Sequence, residues 1–170
     1  ALWLAVACLT TTAGAADLAT ELQSLKAAWA QANYHAAGDA RSRALESLQS
    51  RTDALAAAHP GRAEPIIWQG IVLSSYADAK GGLGALSAAK KARAMFEKAI
   101  EIDERALDGS ALASLGVLYS KVPGFPVGFG DDKRAKQLLQ KALAVSPDSI
   151  DTNFFYGEFL AGEGDKAGAR

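Results

Sequence analysis

Leu115-Gly116-Val117-Leu118-Tyr119 is the stretch on which the fold turns, because its surroundings recur earlier in the chain. A shift of 43 residues lays Tyr76 on Tyr119, Gly81 on Gly124, Lys90 on Lys133, Ala92 on Ala135, Lys98 on Lys141 and Ala99 on Ala142. Large apolar positions survive the same shift, with Phe96 falling on Leu139 and Ile102 on Val145. The coincidences extend across two helical patterns and the segment between them. Self-similarity at such a period marks stacked supersecondary units, each too small to bury its own apolar face.

Outward from the repeat, the chain beyond Asp17 is rich in Ala, Leu, Lys, Glu and Gln, all strong helix formers. Pro and Gly gather at 60–65, 81–84, 123–130 and Pro147. Trp68, Val72, Leu73 and Tyr76 recur at helical spacing, and no period-2 run rich in β-branched residues competes with them. The expected class is all-α, a stack of helical hairpins.

The repeat resembles the tetratricopeptide family. Leu115-Gly116 with Tyr119 matches its first-helix pattern, and Ala135, Leu139 and Ala142 followed by Pro147 match its second. Small Gly116, Ala135 and Ala142 let helices approach, while large apolar residues fill the gaps between them. Pro147 cannot continue a helix and forces a turn. In the preceding unit Val72, Leu73 and Tyr76 take the first-helix positions and Ala92, Phe96 and Ala99 the second, with Leu73 where Gly is expected. The resemblance covers roughly 64–170 and implies a tetratricopeptide-like α-solenoid.

The expected organisation has five parts. Residues 1–15 read as a signal peptide: nine apolar residues lead into Ala13-Gly14-Ala15, an apolar core before a small-residue cleavage site, although no basic n-region precedes them. A competing reading makes this segment an apolar first helix. Residues 16–60 form an N-terminal hairpin cap, with Leu18, Leu22, Leu25, Trp29 and Ala32 on one helix and Ala44, Leu48, Leu55 and Ala58 on the next. Residues 61–105 and 106–147 are repeat units with expanded loops, after a turn punctuated by Pro60-Gly61 and Pro65. Residues 148–170, opening with Tyr156-Gly157 and Leu160, are a truncated third unit, and both ends are expected to continue.

The two expanded loops are read at 77–87 and 120–130, at one edge of the stack. Such a pair could be a backbone anion cradle, a structural lid carrying Phe125 and Phe129, or a partner edge shared with Tyr76 and Tyr119. Asp131-Asp132 at the next helix start oppose the anion reading. The string from Val122 to Asp131 is similar to a loop in extracytoplasmic tetratricopeptide proteins grouped with the T component of tripartite ATP-independent periplasmic transporters. That similarity implies docking to a periplasmic substrate-binding protein and room for a small apolar ligand. The candidate partner- or ligand-binding residues are Tyr76, Tyr119, Phe125 and Phe129.

Composition narrows the chemistry further. Lys and Arg total 18 against 19 Asp and Glu, a net charge of -1, which lacks the basic excess that nucleic-acid phosphates require. The single Cys, Cys8, excludes an internal disulfide and lies in the export segment, where Ala5-Val6-Ala7-Cys8 loosely resembles a lipoprotein box. The alternative to a free periplasmic protein is therefore a lipid anchor at Cys8. No zinc-protease, P-loop, nucleophile-elbow or EF-hand pattern occurs. His35 and His59 read as surface or helix-end residues. Trp29, Trp68, Phe154 and Phe155 read as core, with a concave binding face as the competing role. The expectation is an exported, non-catalytic scaffold without cofactor or metal that binds a protein or peptide partner. Its alternative is a periplasmic transporter accessory protein holding a small apolar ligand.

Overall fold

The computed structural model describes the backbone of residues 11–169 and the side chains of residues 17–169 apart from residue 83. Seven helices are described: α1 (Thr11–Tyr34), α2 (Gly38–Ala58), α3 (Ala63–Lys80), α4 (Gly82–Asp103), α5 (Ala106–Lys121), α6 (Asp132–Val145) and α7 (Ile150–Gly162). Among the described residues there is no strand, so the all-α expectation holds. Residues 1–10, with Cys8 and most of the expected export segment, lie outside the described residues, and the expected cleavage point after Ala15 falls within α1.

Each helix packs on the next in sequence, and α3 also touches α1 and α5, while α5 touches α7. Short turns between packed neighbours make the helices antiparallel hairpins. The odd-numbered helices therefore line up side by side, and α2, α4 and α6 back them. Two main cores result. Leu18, Leu25, Leu45, Leu48, Leu55, Trp68 and Val72 join α1 and α2 to one side of α3. Ile67, Phe96, Leu115, Leu118, Leu139 and Phe159 join α3 to α7 on the other. Fully buried Phe96 alone stabilises the fold by roughly 1.5–3 kcal/mol relative to an exposed ring. The α2 face is centred on Leu45, half-buried Ala44 sits at its edge, and Ala58 is exposed.

Glycine sets the spacing inside two of the hairpins, α3–α4 and α5–α6. A Cβ on Gly70 would lie 2.4 Å from Phe96 Cε1, and one on Gly116 would lie 2.8 Å from Leu139 Cγ. The two contacts are alike, and they revise the alignment expected from a single shift of 43. Second helices match at a shift of 43, Phe96 to Leu139, but first helices match at 46, Gly70 to Gly116. Burial agrees with this: Ala63, Pro65, Ile66, Ile67, Gly70 and Val72 pair with buried Gly109, Ala111, Leu112, Ala113, Gly116 and Leu118. The glycine expected at Leu73 is Gly70, and Tyr76 does not occupy the place of Tyr119.

The expanded loop expected at 77–87 is absent. α3 runs to Lys80, α4 starts at Gly82, and Gly81 alone lies between them at φ 65°. Gly81 and Gly82 both take positive φ, which turns the chain sharply. The Ala- and Leu-rich sequence around them extends both helices instead of leaving them for a loop. The second unit holds Pro123 and Pro126 at this place, and its loop spans 122–131. One unit thus prolongs its hairpin where the other inserts a loop. Pro65, expected in the turn, sits inside the first turn of α3, where its missing N–H has no helical partner to lose.

Ends are capped locally where the sequence offers an acceptor. Asp131 accepts from the Arg134 backbone N–H at 2.9 Å, and Ser149 accepts from that of Thr152 at 3.3 Å. The start of α5 is unusual, because Leu107, Asp108 and Gly109 all take left-handed φ values of 48°, 56° and 76°.

Candidate functional site

The side-by-side odd helices enclose a groove of about 560 Å³. α1 supplies one wall with Ala19, Leu22, Gln23, Lys26 and Trp29, and α3 supplies Trp68 and Ile71 to the floor. Leu107, Asp108, Ser110 and Ser114 of α5 and Asp151 and Phe155 of α7 make the opposite wall. Two other depressions, of about 290 Å³ each, have half that volume. The large groove falls in the size range that takes a small molecule or a peptide side-chain cluster.

Its floor is rigid and aromatic. Trp29 donates its indole N–H to Ser75 Oγ at 2.9 Å, which ties α1 to α3 and leaves the ring to act as an apolar surface. Trp29 also stands edge-on to Trp68, with centroids 5.9 Å apart, and to Tyr34 at 5.5 Å. Phe155 sits beside Phe154 at 5.9 Å on α7. Trp29, Trp68 and Phe155 therefore serve both as packing residues and as groove lining, whereas Phe154 is 65% exposed.

The left-handed turn at the head of α5 delivers part of the far wall. For an L-residue this conformation costs roughly 1–2 kcal/mol, and Leu107 and Asp108 both adopt it in sequence. Both side chains border the groove. Lys26, Asp108 and Asp151 on its rims have no ion-pair or hydrogen-bond partner among the described residues. Elsewhere charges pair across helices, as Arg41 does with Asp78 at 2.9 Å and Lys121 with Glu158 at 3.4 Å.

None of the four residues expected from sequence lines this groove, and they do not form one cluster. Tyr119 is buried and meets half-buried Phe129 edge-on, with centroids 5.5 Å apart at 87°. Arg93 lies over the Phe129 ring at 4.6 Å, and Arg134 lies 5.4 Å from the Tyr119 ring. Phe129 is thus a plug that holds the loop onto α4 and α5. Backbone bonds fix the rest: Gly130 N–H donates to Pro123 O at 2.9 Å, Gly128 to Gly124 O at 3.0 Å and Asp131 to Tyr119 O at 3.1 Å. A Cβ on Gly130 would lie 1.8 Å from Val122 O, so only glycine fits there. Phe125 points outward at 92% exposure. Tyr76 is half-buried between the two cores and makes no ring contact with the other three among the described residues.

Sequence reading missed the groove as a unit because its walls come from four helices spread over the whole chain. The usable signal is the set of large aromatics Trp29, Trp68, Phe154 and Phe155, whose competing role is a concave binding face; three of the four line the groove and Phe154 does not. Among the described residues no group of three or more His, Cys, Asp or Glu is placed to hold a metal ion. No helix among them is long and apolar enough to cross a membrane. Compared with known proteins, the chain matches no family model and no curated sequence.

Proposed function

We propose that the chain is a tetratricopeptide-type scaffold that binds a protein or peptide partner, without catalysis, in the groove of its odd-numbered helices. The single observation that carries this reading is the apolar groove built from α1, α3, α5 and α7, with an aromatic floor and polar rims. Equivalent Gly70–Phe96 and Gly116–Leu139 contacts support a repeat stack. Export to the periplasm rests on the order of residues in 1–16. A periplasmic substrate-binding protein is one partner of the expected kind. The groove volume also suits a second reading, an accessory protein that carries a small apolar ligand.

Selection of binders from a library of random displayed peptides tests the proposal. The native protein is compared with Ala19→Trp plus Ser114→Phe, which fills the groove from small positions, and with Phe125→Ser on the loop. The expected result is loss of binders with the filled groove and retention with the loop variant, at equal helicity. The reverse pattern would move the site to the loop. A stoichiometric extra mass on the native protein, absent from the filled variant, would favour the small ligand.

A further inference from the structure

We propose that the groove reads charge order as well as apolar shape: it takes a peptide whose apolar anchor lies between one basic and one acidic side chain. The basic group faces the rim of α5 and α7, and the acidic group faces α1. This inference rests on the peptide-binding reading above and adds the direction and chemistry of the ligand.

Charge is divided between the two walls of the groove. Lys26 is the one charged residue on the α1 wall, and Asp108 and Asp151 are those on the opposite wall. All three are exposed and have no ion-pair or hydrogen-bond partner among the described residues, so their charges are open to a ligand. Between the rims lie Leu22, Trp29, Trp68, Ile71 and Phe155. The Trp29 N–H is already occupied by Ser75, so this floor rewards an apolar side chain and not a polar one. A purely apolar ligand would draw water away from three charges and return nothing to them. A peptide seated with its charges the other way round would place like charges together at both rims, which is how interfaces reject wrong arrangements. Gln23, Ser110 and Ser114 remain on the walls as donors and acceptors for a peptide backbone.

The left-handed turn bears on the same point. Leu107 and Asp108 hold a conformation that favours glycine, and both face the groove. Aspartate is among the residues that best tolerate that conformation, so Asp108 brings a carboxylate to the rim at modest cost. Asp151 lies in the first turn of α7, at the end of the helix dipole where negative charge is favoured.

The test is selection from the displayed library followed by a charge swap. On the native protein, selected peptides are expected to carry Lys or Arg on one side of an apolar anchor and Asp or Glu on the other. On Asp108→Lys plus Asp151→Lys, the formerly basic position should become acidic. For one selected peptide made synthetically, replacing its basic residue with Ala should weaken binding about threefold. The same replacement should change nothing on Asp108→Asn plus Asp151→Asn, as a double-mutant cycle requires. Binders with no preferred flanking charge, or an unchanged preference after the swap, would overturn the charge order while leaving the groove as the site. Binders that survive Ala19→Trp plus Ser114→Phe would overturn the groove reading itself. Recovery of no peptide, together with self-association abolished by that filled variant, would assign the groove to a second copy of the chain and overturn both.

Discussion

Gly116 of α5 leaves the space that Leu139 of α6 fills, just as Gly70 of α3 does for Phe96 of α4. The closeness of each helix pair depends on these two missing side chains. Gly116→Ala and Gly70→Ala should each destabilise by about 1–3 kcal/mol, the usual cost of overpacking a tight core. The Gly70 change should be the larger, because its Cβ would meet a rigid, fully buried ring at 2.4 Å. Urea unfolding checks both. A neutral Gly70→Ala would mean that the Phe96 ring has room to move.

The loop offers a contrast between two phenylalanines. Phe129 packs on Tyr119 and under Arg93, so Phe129→Ala should cost about 1–3 kcal/mol. Phe125 is 92% exposed, and Phe125→Ala should change stability by less than about 0.5 kcal/mol. Thermal melts of the two variants read the difference directly. Equal losses would show that Phe125 is not free in solution.

Leu107 lies left-handed in a conformation that glycine adopts without penalty. Leu107→Gly should raise stability by about 0.5 kcal/mol, the left-handed penalty of roughly 1–2 kcal/mol less the added entropy of the unfolded glycine. The same change removes apolar surface from the groove wall, so peptide affinity should fall. Stability and binding moving in opposite directions is the outcome to measure. A fall in both would make the turn a packing feature alone.

At the start of α3, Arg62 hydrogen-bonds Glu64 and holds its carboxyl below the ordinary value of 4.5. A lowered folded pKa adds stability above the unfolded value and loses it as pH falls through the folded one. Arg62→Gln should therefore cost about 0.5 kcal/mol at neutral pH, as a part-exposed pair does. Its difference from the native protein should vanish once acid protonates Glu64 in both. Unfolding curves across the acid range check the sign; a gap that widened in acid would contradict it.

Much of the fold could be read in the residues themselves. The helical periodicity of Trp68, Val72 and Tyr76 and the small-large alternation of Ala135, Leu139 and Ala142 both reappear as packed faces. Two readings failed for one reason. The glycines at 81–84 look like a loop because glycine permits one, but Gly81 alone makes the turn and helix-forming neighbours continue on both sides. That extension also changed the spacing between the two helices of the first unit. A single shift of 43 therefore matched second helices and misaligned the first, pairing Tyr76 with Tyr119. The groove was the least legible feature, since Lys26, Asp108 and Asp151 are neighbours only after four helices have packed. Residue type and loop context cannot distinguish a plug such as Phe129 from a free surface such as Phe125.

Peptide binding in the groove of α1, α3, α5 and α7 is the proposal on which the rest depends. Backbone amide chemical shifts, recorded while a selected peptide is titrated into isotopically labelled protein, test it most directly. Shifts should concentrate at Lys26, Ile71, Asp108, Ser114 and Phe155, with Tyr119, Phe125 and Phe129 unmoved. Shifts confined to the 122–131 loop, with the groove residues silent, would contradict it.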